Sequence, residues 1–87
     1  MYYYYADGDN KLIRVDVGDS KPSIEVFTAS PGQLYIGDGE WMDPEPPGRN
    51  LATEALYSGD YYGVDETEAQ RVMGVIDARV QAARGDR

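Results

Sequence analysis

The sequence predicts an α+β fold in which an antiparallel β-meander of about four strands packs against a C-terminal α-helix. Turn clusters recur about every ten residues through residues 1–37 and separate short segments of strand-like composition. Residues 65–84 instead carry apolar side chains at helical spacing. The length of 87 residues fits a single small domain with a radius of gyration of roughly 12 Å.

Four segments of the meander, residues 1–37, have the composition of strands. The first is aromatic, and in the second and third apolar residues alternate with polar ones, as in a half-buried strand. These segments are residues 2–6, 11–17, 23–27 and 34–36. Between them lie clusters of Asp, Gly, Asn and Pro, which favour tight turns. The turns are residues 7–10, 18–22 and 31–32.

Residues 38–64 form an acidic segment rich in proline and glycine. Three prolines between positions 44 and 47 prevent a helix there and disfavour a central strand. We therefore expect a loop, in which Trp41 and Met42 form a brief strand or an anchor.

A short helix is predicted over residues 50–57. Asn50 is a good N-cap residue, and Leu51, Ala55 and Leu56 are spaced to face inward. Residues 58–63 are predicted to be loop.

The C-terminal helix over residues 65–84 is the clearest element. Asp65 is placed to cap its first turn, while Glu68, three residues on, is placed to reach back as in a capping box. Its apolar stripe is Ala69, Val72, Met73, Ile76, Val80 and Ala83. We expect this stripe to contact one face of the sheet. The facing sheet residues are predicted to be Ile13, Val15, Val17, Ile24 and Val26.

Two glycines affect this helix, one in its interior and one just after its predicted end. Gly74 costs about 1 kcal/mol relative to alanine in a helix interior, so we expect close packing against it. Gly85 is placed to end the helix. A second, weaker stripe of small residues and arginine is available for another helix. It consists of Arg71, Val75, Ala78 and Ala82.

Several kinds of chemistry are excluded by composition. The chain has no Cys and no His, so it lacks disulfides, thiolate nucleophiles and the commonest metal ligand. Its acidic turns lack the ligand spacing of an EF-hand, and it has no phosphate-binding glycine motif. We expect no metal, no cofactor and no enzymatic activity. No apolar run approaches the roughly 20 residues that cross a bilayer, so we expect a cytoplasmic protein.

The net charge of −8 comes from the middle of the chain. Residues 38–68 hold nine acids against Arg49 alone, and the charges of the two flanks cancel. Such a segment repels nucleic acid and anionic membranes and attracts basic protein surfaces. Solubility alone is the competing interpretation. The predicted partner-binding acids are Asp38, Glu40, Asp43, Glu45, Glu54, Asp60, Asp65, Glu66 and Glu68.

Residues 2–5 are four consecutive tyrosines. Alternate side chains of a strand face opposite sides, so one pair enters the core and the other lies on the outer face. Tyr3 and Tyr5, with Trp41, complete the predicted partner-binding residues, because Tyr and Trp anchor interfaces. The alternative is aromatic packing across the sheet with Arg14 stacked nearby. This uncharged strand is also a candidate sheet edge that pairs with another chain.

The charge and the tyrosines favour a small acidic module that blocks a basic, nucleic-acid-binding surface of a partner protein. Viral inhibitors of host defence systems, such as anti-CRISPR proteins, work in this manner. One alternative is a neutralising partner of the antitoxin or immunity type. Another is a small structural subunit that forms a homodimer through the tyrosine strand and the second helix stripe. The motifs identify no family.

Overall fold

The computed structural model describes residues 1–85; Asp86 and Arg87, which enter the charge count above, lie outside the described residues. A five-stranded antiparallel sheet, two short helices and a long C-terminal helix confirm the predicted α+β fold. The elements are β1 (Tyr2–Asp7), β2 (Lys11–Asp16), α1 (Ile24–Ala29), β3 (Gln33–Gly37), β4 (Glu40–Met42), α2 (Leu51–Tyr57), β5 (Tyr62–Val64) and α3 (Glu66–Gly85).

The strands lie in the order β4-β3-β2-β1-β5, and each neighbouring pair is antiparallel. The strands β1 to β4 therefore form a four-stranded meander, as predicted. Its members differ from the prediction, because the predicted third strand is absent and the brief strand at Trp41 is β4. β5 lies beside β1, so the prediction of a loop throughout residues 58–63 is wrong at Tyr62 and Gly63. The prediction of β1 as an edge strand is also wrong from Tyr4 to Ala6, where β5 pairs with it.

The segment predicted as the third strand, residues 23–27, is instead the start of helix α1. The Ser23 side chain accepts a hydrogen bond from the Val26 N–H at 3.2 Å and caps the helix. Phe27 is only 1% exposed, whereas Ile24 is 45% exposed. Burial of one large aromatic side chain, together with this cap, outweighs the weak alternation of a short segment.

Helices cover both faces of the sheet. On one face, α1 and α2 pack on a cluster that contains Ile13, Val15, Val17 and Phe27. On the other, α3 packs on Ala6, Leu12 and Tyr35. The prediction that Ile13, Val15 and Val17 contact the C-terminal helix is therefore wrong. The prediction also fails for Ile24, which is exposed, and for Val26, which packs with the α1–α2 cluster. The strand β2 buries Ile13 and Val15 on one face and Leu12 on the other, because helices cover parts of both faces.

The N-terminus of α3 is only partly as predicted. The Asp65 carboxylate accepts a hydrogen bond from the Glu68 N–H at 2.8 Å, which confirms the cap. Glu68 does not reach back, however, because its carboxylate accepts from Arg71. Ala69, Val72 and Ile76 are buried as predicted.

Further along α3, the apolar stripe ends earlier than predicted. Ala83 is exposed, and the helix as described runs to Gly85. No atom lies within 4 Å of a Cβ built at Gly74, so the prediction of close packing there is wrong. Within residues 1–85, no helix is long and apolar enough to cross a bilayer.

Helix α3 is attached to the β3–β4 turn through Asp77. Its carboxylate accepts hydrogen bonds from the Tyr35 hydroxyl at 2.6 Å and from the Asp38 N–H at 2.9 Å. The Tyr35 hydroxyl in turn accepts from the Gly39 N–H at 2.8 Å. Burial, followed by the bond to Asp77, raises the pKa of Tyr35 above its ordinary value. This network places the turn against the second half of the helix.

Candidate functional site

The helix α3 covers only part of its sheet face. The uncovered part carries aromatic side chains and an arginine. We call Tyr2, Tyr4, Arg14 and Trp41 the aromatic patch. The Arg14 guanidinium carbon lies 4.4 Å from the centre of the Tyr2 ring and 4.3 Å from that of Trp41. Tyr2 is 43% exposed, and the other three side chains are partly exposed. The patch is therefore a preformed surface of the residue types that dominate interface energies.

Strand register creates the patch. Tyr4 lies directly opposite Arg14 in the β1–β2 ladder, and Trp41 of β4 lies beside Tyr35 of β3. The ring of Tyr4 is 6.3 Å from that of Trp41, and Trp41 is 5.0 Å from Tyr35. Such tilted pairs hold one another in place.

A hydrogen-bonded chain fixes the arginine from the side. Arg14 Nε donates to Gln33 Oε1 at 2.9 Å, and Gln33 Nε2 donates to Asp43 Oδ1 at 3.0 Å. The guanidinium is thus held both by rings and by a side-chain amide. A side chain held in this way loses little entropy when a partner binds it.

Carboxylates flank the aromatic patch on both sides. A shallow depression of about 250 Å³ beside Tyr2 and Arg14 is bordered by Asp16 and Asp43. A groove of about 470 Å³ on the other side of Tyr2 is bordered by Asp65 and Glu66. The patch is therefore apolar and cationic at its centre and acidic at its margins.

The predicted acids do not share one surface. One group lies at the β4 edge of the sheet and consists of Asp38, Glu40, Asp43 and Glu45. A second group lies around β5 and the start of α3 and consists of Asp60, Asp65, Glu66 and Glu68. Glu54 lies on α2, on the opposite side of the sheet. Four strand spacings separate the two edges, which is roughly 19 Å.

Three of the predicted acids are paired with arginines. Glu54 accepts two hydrogen bonds from Arg49, at 2.7 and 2.8 Å, which lower the pKa of Glu54. The other pairs are Asp38 with Arg84 and Glu68 with Arg71. Their charge is locally compensated, so within residues 1–85 the exposed acids without an arginine partner carry the negative field. Of the predicted set, these are Glu40, Asp43, Glu45, Asp60, Asp65 and Glu66.

Tyr3 and Tyr5 lie on the face opposite the patch and pack against the α1–α2 cluster. The Tyr5 ring meets Phe27 edge to face, with centroids 5.8 Å apart, and burial raises the pKa of its hydroxyl. The tyrosines that join Trp41 and Arg14 are instead Tyr2 and Tyr4. No local signal indicates this, because Tyr4 comes to lie opposite Arg14 through a three-residue turn that pairs Asp7 with Lys11, and not through a two-residue Asp-Gly turn.

No family model, curated protein or solved structure matches the chain. Residues 1–85 contain no group of three or more carboxylates arranged to hold a metal ion.

Proposed function

We propose that the chain is a small acidic module that binds a basic surface of a partner protein. The observation that carries this proposal is the stack of Arg14 between Tyr2 and Trp41 on the open half of a sheet face, with carboxylates on both margins. Tyr, Trp and Arg supply binding energy at the centre of interfaces. Acids around such a centre select basic partners and accelerate the encounter.

A nucleic-acid-binding surface is the expected target, since such surfaces are rich in Lys and Arg. The two acidic edges lie roughly 19 Å apart, wider than the major groove of about 12 Å. We therefore infer charge complementarity and not a copy of a duplex groove. The partner with this basic surface is either a protein of a host defence system, which the chain would inhibit, or a toxin, which it would neutralise.

The proposal is tested by capture and competition. The immobilised chain is exposed to a lysate of the source cells, and the bound protein is identified and purified. We expect a basic protein that is released as salt rises, because screening weakens the attraction. We also expect duplex DNA or RNA to displace it from the chain.

Substitutions on the patch and its margin make the test specific. Tyr2→Ala removes an anchor, and Asp43→Lys reverses a marginal charge. Each should weaken the purified complex about tenfold or more. Glu25→Lys, an exposed acid of α1 on the other face, makes the same charge change and should have little effect. Unchanged affinity in both patch variants, or simultaneous binding of the duplex and the chain, would contradict the proposal.

A further inference from the structure

The strand β5 stops before β1 does, which leaves part of the β1 edge unpaired. The β1–β5 ladder runs from Ala6 opposite Tyr62 to Tyr4 opposite Val64, whereas β1 begins at Tyr2. The Val17 N–H donates to the Met1 carbonyl at 3.1 Å, so the backbone of Met1 faces β2. Because adjacent residues of a strand direct their N–H and C=O groups to opposite sides, the backbone of Tyr2 faces the open edge.

A groove of about 470 Å³ lies along this open edge. It is lined by Met1, Tyr2, Tyr4 and Val64, together with Asp65 and Glu66. The aromatic walls are suited to the stem and the cationic head of a Lys or Arg side chain. The carboxylates at the start of α3 provide the complementary charge.

We propose that this groove receives an extended basic segment of the partner protein. The segment continues the line of β5, its main chain pairs with the free backbone groups of Tyr2, and a Lys or Arg side chain lies between the tyrosine walls and Glu66. This is strand addition with a cation-selective pocket beside it. The inference rests on the proposed function, since it names the part of a basic partner that the acidic module holds.

Charge decides between this occupant and a second copy of the chain. Two copies paired along β1 would bring two chains of net charge −8 together and place their Asp65 and Glu66 carboxylates near each other. A basic segment gains from the same carboxylates. The groove is therefore assigned to a heterologous strand.

A defined peptide tests the inference without knowledge of the partner. The probe is a capped seven-residue peptide of alternating valine and arginine, and the control replaces each arginine with glutamine. Binding is followed by the ¹H–¹⁵N shifts of the full chain. We expect saturable shifts centred on the Tyr2 and Val64 amides with the arginine peptide, and at least about tenfold weaker binding of the glutamine peptide.

Variants separate the groove from the general negative charge. Asp65→Asn with Glu66→Gln keeps an N-cap residue at the start of α3 and should weaken the arginine peptide about threefold to fivefold. Glu25→Gln, in the first turn of α1, should leave its affinity unchanged. Equal affinity in the groove variant, or shifts spread over all acidic surfaces, would overturn the inference.

The experiments distinguish a failure of the groove inference from a failure of the proposed binding function. If the Tyr2 amide does not respond to the peptide while Tyr2→Ala and Asp43→Lys still weaken binding of the partner, the groove is wrong and the binding function stands. Shifts of the Tyr2 amide with protein concentration alone, together with a dimer by light scattering, would assign the groove to a second copy and overturn this inference.

Discussion

Gly74 lowers the stability of α3, because glycine is unfavourable in a helix interior. It lies on the exposed side of α3, its φ is not in the left-handed region, and no atom lies within 4 Å of a Cβ built there. Gly74→Ala should therefore raise the free energy of unfolding by about 1 kcal/mol, because alanine loses less backbone entropy in a helix. Urea unfolding at pH 7 measures this change.

Gly37 is the matched control, because its environment forbids the same substitution. Its φ is +97°, and a Cβ there would lie 2.9 Å from Val80 Cγ2. Gly37→Ala should lower the free energy of unfolding by about 1–3 kcal/mol. A loss of stability in Gly74→Ala would show that the outer side of α3 is packed in solution.

Asp9 links the first hairpin to α3 and makes stability depend on pH. Arg71 donates a hydrogen bond to its carboxylate at 2.7 Å, and this bond holds the pKa of Asp9 below its ordinary value. A depressed folded-state pKa contributes stability above the unfolded-state value of about 3.9, and this stability is lost as pH falls through the lower folded-state value. Asp9→Asn removes that contribution.

Thermal midpoints between pH 7 and pH 3 check this linkage. The difference in Tm between the wild type and Asp9→Asn should be constant above about pH 5 and should shrink toward pH 3. Asp19→Asn, at an exposed turn position, is the control for loss of one negative charge. A difference that grows as pH falls would mean that Arg71 does not stabilise the ionised carboxylate.

The helices α2 and α3 could be predicted because their signals are local. Asn50 and Asp65 both accept the predicted capping hydrogen bonds, from Thr53 and Glu68. The helix α1 and the strand β5 could not be predicted in this way. The first depends on where Phe27 is buried, and the second is three residues long and is defined by its pairing with β1. Tertiary packing decides short elements of this kind.

The same division applies to the candidate site. Trp41 was identified because a large aromatic residue in a polar loop stands out in composition. Arg14 and Tyr4 were not assigned to the site, because their meeting requires the register of β1 on β2. The separation of Asp43 from Glu66 requires the strand order, which places β4 and β5 at opposite edges. Neither property is encoded in a local pattern.

Asn50 joins the two short helices and is a sensitive point of their layer. Its side-chain oxygen accepts from the Thr53 N–H at 2.9 Å, and its nitrogen donates to the Phe27 and Thr28 carbonyls at 2.9 and 3.3 Å. Asn50→Asp keeps the cap but loses the donor and places a negative charge beside the C-terminal end of α1. We expect a loss of about 1–3 kcal/mol in the free energy of unfolding.

Two further variants isolate the contribution of the donor. Asn50→Ala should also lower the free energy of unfolding, because it removes both the cap and the donor. Ser23→Asp exchanges one good N-cap residue of α1 for another and should be nearly neutral. Equal stability of Asn50→Asp and the wild type would mean that the amide does not hold α1 in place. Urea unfolding followed by near-ultraviolet circular dichroism reports on the layer directly.

Across the whole molecule, repulsion among like charges opposes the compact state. The chain carries a net charge of −8 within a radius of gyration of 13.2 Å. The pairs of Arg71, Arg49 and Arg84 with carboxylates are exposed, and exposed pairs contribute little. At 0.01 M salt the screening length is about 30 Å, so most of the charges interact, whereas at 0.15 M it is about 8 Å and only neighbours do.

Salt should therefore stabilise the protein at neutral pH. We expect Tm at pH 7 to rise by about 4–8 °C between 0.01 and 0.15 M NaCl, which corresponds to about 1 kcal/mol for a domain of this size. Near pH 4.2, where the sequence has no net charge, the rise should vanish, because there is no excess repulsion left to screen. A fall in Tm with salt at pH 7 would mean that the attractive pairs outweigh the repulsion.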